Sequence, residues 1–528
     1  MSQQHKQAED TNASQLDASR AATPTPTLPG DASPKDSPGK LSHLKTETDV
    51  MVVDWDGPND PANPKNWPYR RKWAATLIVS SFTFISPISS SMVAPASEQI
   101  SREFHITSSA VMAMTTSIFV LGFALGPLFF GPLSEIYGRS RVLQGANLLY
   151  LAWNIGCSFA QNTGQLIAFR FLSGLGGSAP LSIGGGVLGD TWRPEERGKA
   201  IAIYSLAPLL GPVLGPVCGA WITQRSTWRW VFWSTSIVDV VIQLAGIFFL
   251  QETYAPLLLE RKANKIRAQM DEEKGHNKEI CTIYDQGESR HWKDIFARSM
   301  TRPFMLFAFE PIVQLIGLYM ALIYGIFYLF LTTMPLIFSK VYYEEPGIAG
   351  LNYIALGLGL TLAAQINARL LDRFYITFKK KNGGVGEPEF RLPSMAIGSV
   401  LLPIGLFLAG WAPQKHAHWI ATDIGIALVG GGMIMCFQAM QTYIVDAFTL
   451  HAASALAAVS CLRSLAGFAF PLFAPIMYER LGYGIGDTIL ACVAIVLGCP
   501  APWIFWKYGK MIRSKSRYAH KSARIDGN

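Results

Sequence analysis

Charge is scarce in this chain. Only 16% of its 528 residues are Asp, Glu, Lys or Arg, against about a quarter in soluble globular domains. Half of the residues are hydrophobic. Mean hydropathy is +0.24, although residues 1–70 are polar, so the apolar excess lies downstream. That distribution excludes a soluble enzyme, a secreted disulfide scaffold and a wholly disordered chain. Cysteine is sparse too: seven residues, six of them in apolar stretches, and no CxxC. Buried Cys behaves as a small apolar residue, so neither a disulfide framework nor structural zinc is expected. No GxxxxGK[ST] run occurs, which removes an ATP site. HExxH and a hydrolase-type GxSxG elbow are missing as well. The expectation is therefore no enzyme, no cofactor and no metal.

The Met1 end shows no basic start followed by an apolar core, so no signal peptide is expected. Residues 1–60 are rich in Ser, Thr, Pro, Ala, Asp and Lys, as in Thr23-Pro24-Thr25-Pro26. Such a segment buries too little apolar area to fold alone. Residues 1–72 are expected to form a disordered cytosolic tail, in which the sequon Asn12-Ala13-Ser14 would stay silent.

A helix needs about 20 apolar residues to cross a bilayer. Candidate spans lie at 73–94, 110–131, 142–160, 165–188, 200–222 and 229–250, then at 312–338, 347–371, 393–411, 419–440, 453–476 and 486–506. The expectation is an all-α membrane protein with about twelve transmembrane helices in two sets of six. A polar cytosolic loop, 251–303, separates bundles 73–250 and 304–506, and a basic tail follows at 507–528. The stretch 304–338 is too long for one simple span, so Glu310-Pro311 is expected to mark the entry, with Phe304–Phe309 lying along the interface or tilting in.

Net charge is +8. The basic residues fall in alternate connections: Arg70, Arg71 and Lys72; Arg139 and Arg141; Arg193, Arg197 and Lys199; Lys379, Lys380 and Lys381; Lys507 and Lys510. The positive-inside bias places these loops and both termini in the cytosol. Topology explains the basic runs, and no nucleic-acid partner is expected.

Ionisable groups inside spans are costly and face a cavity or each other. Arg170 lies mid-span in Leu166-Ile167-Ala168-Phe169-Arg170-Phe171-Leu172. It either takes part in proton coupling or gating, or bonds carbonyls of a neighbouring helix. Asp239 either titrates or pairs with an Arg, with pairing slightly favoured. Glu310 before Pro311 is a gating carboxylate or a solvated boundary residue. Arg463 lies too deep to snorkel fully and calls for a polar partner. Gln438 and Gln441 line a polar cavity or bond neighbouring helices.

Gly211, Gly215 and Gly219 recur every fourth residue and form one ridge, which lets helices approach closely. Pro212 and Pro216 in the same run remove backbone donors and bend the helix. The connection Gly131-Pro132-Leu133-Ser134-Glu135-Ile136-Tyr137-Gly138-Arg139-Ser140-Arg141 has a turn glycine at Gly138. It also sets Glu135 beside Arg139 and Arg141, a charge arrangement suited to latching one state.

These motifs together resemble the major facilitator superfamily, and more closely its fungal drug:proton antiporters with about twelve spans. Gly131 to Arg141 is similar to the superfamily's gating loop, with Glu135 where Asp is usual. Leu166 to Ser178, with Arg170 and Gly174, is similar to the fourth-span motif linked to proton coupling. Gly211-Pro212 through Gly219 is similar to the fifth-span antiporter motif, with Cys218 replacing a Gly. Asn63-Pro64-Lys65-Asn66-Trp67-Pro68, Glu252-Thr253-Tyr254-Ala255-Pro256 and Ala469-Phe470-Pro471-Leu472-Phe473 fit the same group. The resemblance implies two six-helix bundles rocking about a midplane cavity. It further implies a monomeric exporter of drugs, toxins or secondary metabolites, driven by protons, in the plasma membrane or alternatively the vacuolar membrane. An uptake symporter for a nutrient or polyamine uses the same fold, as does a transporter-like receptor.

Overall fold

The computed structural model describes residues 50–193, 196–272, 279–284, 292–448 and 452–514. The first 49 residues of the expected tail, and most of the basic tail, lie outside the described residues. The described chain opens with strand β1 (Val50–Val53) and helices α1 (Tyr69–Ser91), α2 (Ser97–Glu103), α3 (Ser109–Ile136), α4 (Arg139–Ser158), α5 (Thr163–Gly177) and α6 (Ala179–Thr191). Next come α7 (Arg197–Arg225), α8 (Arg229–Phe249), α9 (Ala255–Glu272), strand β2 (Glu279–Thr282) and α10 (Trp292–Phe309). The second half contains α11 (Pro311–Lys340), α12 (Pro346–Leu351), α13 (Tyr353–Lys381), α14 (Pro393–Gln414), α15 (Trp419–Ala447), α16 (Ala452–Gly498) and α17 (Pro500–Ser514).

Among the described residues, ten helical segments are long and apolar enough to cross a membrane. Helices dominate because lipid offers the backbone no hydrogen bonds, so each segment must satisfy its own. A helix covers every span expected from the sequence, with three differences. The fourth is two helices, α5 and α6, meeting at Ser178. The third, α4, is too polar to count among the ten, with Arg141, Gln144, Asn147 and Asn154 in its run. The last two candidates run together in α16, which turns at Gly482 with φ 74° and ψ 170°, and the final one continues into α17. Only glycine adopts that backbone without strain.

Glu310 divides the long 304–338 run between α10 and α11. Its φ of −108° and ψ of 102° are extended, the conformation proline imposes on its predecessor. The expected tail, 1–72, is drawn too long. Val50-Met51-Val52-Val53 is a strand that pairs in parallel with β2, Met51 opposite Ile280. Val53, Ala263 and Ile280 form a small core beneath it. Lys262 Nζ reaches Asp56 Oδ1 at 2.6 Å and the Asp54 carbonyl at 2.8 Å. Asp60 then accepts backbone N–H bonds from Asp56 (2.9 Å) and Ala62 (2.8 Å). A partner strand from the central loop, absent from any local reading, makes this segment foldable.

Candidate functional site

The interior polar groups of the first half are built around Arg170 on α5, which is fully buried. Its Nε donates to the Thr115 carbonyl (3.2 Å), Nη1 to that of Ser89 (2.9 Å), and Nη2 to those of Ser90 (3.1 Å) and Thr116 (3.2 Å). Four of its five N–H groups thus tie α5 to α1 and α3. Gly174, one turn on, packs directly against the Phe119 backbone of α3. The contacts are those of the carbonyl-bonding alternative.

Asp239 on α8 is also fully buried, but the slightly favoured arginine partner is not there. Asn147 of α4 donates to both carboxylate oxygens at 3.1 Å and to Gln243 Oε1 at 2.9 Å. Seven residues on, Asn154 donates to Thr235 Oγ1 (2.9 Å) and Ser236 Oγ (2.8 Å), and its amide oxygen accepts from Ser89 (3.3 Å). The arginine lies on α5 and is consumed by carbonyls, so an amide serves the carboxylate instead. Sequence reasoning passed over Asn147 and Asn154. Their seven-residue spacing on one face of an otherwise apolar helix was the available signal.

The two halves meet at Ser90 Oγ and Tyr328 OH, 3.2 Å apart. Tyr328 of α11 packs against Tyr324, ring centroids 5.1 Å apart and planes inclined by 55°. Arg463 of α16 lies over Tyr324 (4.8 Å) on one side and over Phe437 of α15 (5.1 Å) on another. Its polar partner is Ser460 Oγ on its own helix, at 3.1 Å from Nε and 2.9 Å from Nη2. Gln438 accepts from Asn367 of α13 at 2.9 Å, an interhelical bond, while Gln441 is exposed. Glu310 is fully buried, so the solvated-boundary alternative does not hold. A narrow cleft between the halves is lined by Ala94, Met112 and Thr116 on one side and Thr332, Leu336 and Pro475 on the other. Thr332 donates to the Tyr328 carbonyl, which puts the cleft one turn from that tyrosine.

At the connection between α3 and α4, Gly131 meets nothing that a side chain would disturb. Gly138 has φ 97°, and a Cβ there would strike the Glu252 carboxylate. Arg139 Nη1 donates to Ser134 Oγ at 2.6 Å, and Nε to Asp190 Oδ2 at 3.4 Å. The Arg139 backbone N–H donates to Glu252 Oε1 at 2.9 Å, and its guanidinium lies over Tyr254. The expected pairing with Glu135 is not present among the described residues. Glu135 and Arg141 are both exposed, because Ser134 rather than Glu135 takes the inward face at the end of α3. The carboxylates that bond Arg139 are Asp190 and Glu252. Asp190 went unremarked in the sequence, although Glu252 heads one of the family-like stretches.

The glycine ridge of α7 has a specific partner. Gly211 faces Pro87 of α1, and a Cβ there would come to 2.7 Å of the Pro87 side chain. At Gly215 it would strike Ser91, and at Gly219 the Met92 carbonyl. Pro212 and Pro216 are buried in the same continuous helix. Another face of α7 meets the second half: Gly350 packs on Ala220 and Gly357 on Val213. Gln224 at its end donates to Glu345 Oε2 (2.7 Å) and accepts from the Gly347 N–H (3.0 Å).

Residues 79–471 match the sequence model of the Major Facilitator Superfamily. The efflux pump vrtL of Penicillium aethiopicum is 48% identical over 90% of this chain and 92% of its own. The MFS transporter cpaT of Aspergillus oryzae is 42% identical over 88% and 92%. Among solved structures, the xylose transporter XylE from E. coli, partially occluded and inward open, aligns with a TM-score of 0.62. That alignment has 16% identity and covers 83% of this chain and 98% of that one. The chain belongs to the major facilitator superfamily, within the fungal group that holds these relatives.

Proposed function

We propose that this protein is a proton-coupled secondary transporter that exports small amphipathic molecules by alternating access. The observation that carries the reading is the polar seam between the halves. Arg170 holds α1 and α3 from one side, Arg463 lies among aromatic rings on the other, and Ser90 meets Tyr328 between them. Seams of this kind at a repeat interface are where transporters of this class hold cargo. The efflux pump name carried by vrtL favours export over the uptake alternative.

In this reading about twelve helices span the bilayer. They comprise the ten segments together with α4, which hides its asparagines inward, and a division of α16 at Gly482. Residues 73–250 and 304–506 act as the two rocking bundles, the 251–303 loop and both termini lie in the cytosol, and a monomer works in the plasma membrane. Asp239 is the proton carrier. The Asn147 amide holds it, and no cation lies within 4.0 Å among the described residues, so it can gain and lose a proton without breaking an ion pair. Arg139, Ser134, Asp190 and Glu252 form the cytosolic latch, with Gly131, Gly138 and Arg141 shaping and flanking its loop. Gly211, Pro212, Gly215, Pro216 and Gly219 form the seam on which α7 moves.

Inside-out vesicles with an imposed proton gradient test this. Accumulation of a lipophilic panel is expected in the native protein and lost in Asp239→Asn. Gradient-driven accumulation that survives the substitution removes Asp239 from the coupling path. Accumulation only in right-side-out vesicles reverses the direction.

A further inference from the structure

We propose that the seam binds its cargo as an organic anion, a flat aromatic or enolic acid in its deprotonated form, with Arg463 gripping the charged oxygens. The proposal rests on the transporter reading and names the substrate class of the same site. The two arginines deep in the bundle differ in one respect. Arg170 is buried and spends four N–H groups on backbone carbonyls. Arg463 is only half-buried, and its two hydrogen bonds both go to one acceptor, Ser460 Oγ, three residues back on its own helix. No carboxylate lies within 4.0 Å of it among the described residues. Three of its five N–H directions are left for something else.

Its surroundings say what that is. Tyr324 and Phe437 lie against the guanidinium at 4.8 and 5.1 Å. Two rings against the guanidinium restrict its orientation, and three of its N–H groups make no hydrogen bond among the described residues. A guanidinium edge matches a carboxylate or an enolate, two N–H groups to two oxygens or to one. A cation in a low-dielectric interior without a counter-ion is costly, and an anionic cargo supplies that counter-ion. Tyr324 and Phe437 are themselves only partly buried, which leaves aromatic surface beside the guanidinium for an aromatic body. A cationic cargo would instead meet repulsion here.

The test uses the full-length protein in nanodiscs at pH 7.5 with 1-pyrenebutyrate and its neutral primary amide, binding read from quenching of protein tryptophan fluorescence. The carboxylate is expected to bind at least tenfold more tightly than the amide. Arg463→Gln should bring the carboxylate down to the level of the amide and leave the amide unchanged. Equal affinity in the native protein, or binding of neither probe, overturns the proposal. Equal weakening of both probes by Arg463→Gln overturns it too, since that marks a packing role. If the glutamine variant does not fold, Arg463→Lys decides. It keeps the charge and loses the fork, so the preference should shrink while amide binding holds, and an undiminished preference overturns the two-point grip. Failure of the transporter reading looks different: the carboxylate preference persists, but no proton gradient drives 1-pyrenebutyrate into inside-out vesicles.

Discussion

At the scale of single residues, burial depth was legible and partnership was not. Arg170 sits mid-run in an apolar segment, so its cost in lipid is plain from the sequence. That its partners are the carbonyls of Ser89, Ser90, Thr115 and Thr116 depends on where α1 and α3 cross α5. Hydrogen bonds to a charged group contribute about 1.5–3 kcal/mol each. Arg170→Ala should therefore leave little folded protein. Arg170→Lys, a point charge without the fork, should lower the melting temperature in detergent clearly. Arg463→Gln should lower it much less, because Ser460 is on the same helix. A melting curve unmoved by Arg170→Lys sinks the clamp interpretation. Asp239 teaches the same lesson from the other side. The sequence suggested an arginine, and geometry delivered Asn147.

At the scale of elements, spacing carried most of the information. The fourth-residue repeat of Gly211, Gly215 and Gly219 predicted a close helix contact, and α1 is that contact. Which helix would fill the groove was not encoded locally. Overpacking such a seam costs about 1–3 kcal/mol. Gly215→Val should destabilise the protein and slow transport by prising α7 from Ser91, whereas Gly185→Ala, where a Cβ meets nothing, should behave as native in the same thermal and transport assays. The 50–68 segment is a second case. Asp60 accepts from the Asp56 and Ala62 amides, and these bonds hold its carboxyl below the ordinary value of 3.8. A depressed folded value means the stabilisation is complete above the unfolded value and disappears as pH falls through the folded one. At neutral pH, Asp60→Ala should raise hydrogen exchange at the Asp56 and Ala62 amides. Exchange equal to native would show that the β1–β2 pairing holds the segment without it.

At the scale of the whole molecule, two sets of contacts oppose each other across the fold. Arg139 with Asp190 and Glu252 ties the first half to itself at the loop after α3. Gln224 ties α7 to Glu345 and Gly347 of the second half. Alternating access requires the second set to part. A crosslink between Gln224→Cys and Gly347→Cys should arrest transport and release it on reduction. Turnover undisturbed by the crosslink would mean that the halves do not separate there. Export of a monoanion against an inward proton moves both charges in the same electrical sense. Each charge couples to about 2.3 kcal/mol per 100 mV, so the exchange gains roughly twice that. In inside-out vesicles a lumen-positive potential should raise 1-pyrenebutyrate uptake at constant pH difference. No response to the potential would indicate an electroneutral cycle.

The amino-acid order alone determined that the chain is a helical membrane protein, where its apolar helices lie, which family it joins and which glycines must meet another backbone. The helices and their glycine contacts follow from hydropathy over about 20 residues and from periodicity within one helix, and the family follows from its motifs and relatives; all are read along the chain. Only the tertiary structure decided that Arg170 spends four N–H groups on carbonyls of other helices and Arg463 bonds only within its own helix. It also decided that Asp190 and Glu252, rather than Glu135, face Arg139, and that Val50–Val53 finds a strand more than two hundred residues away. Each of those outcomes turns on which side chains from distant helices arrive at the same point. That is fixed by packing between elements, and no window along the chain contains it.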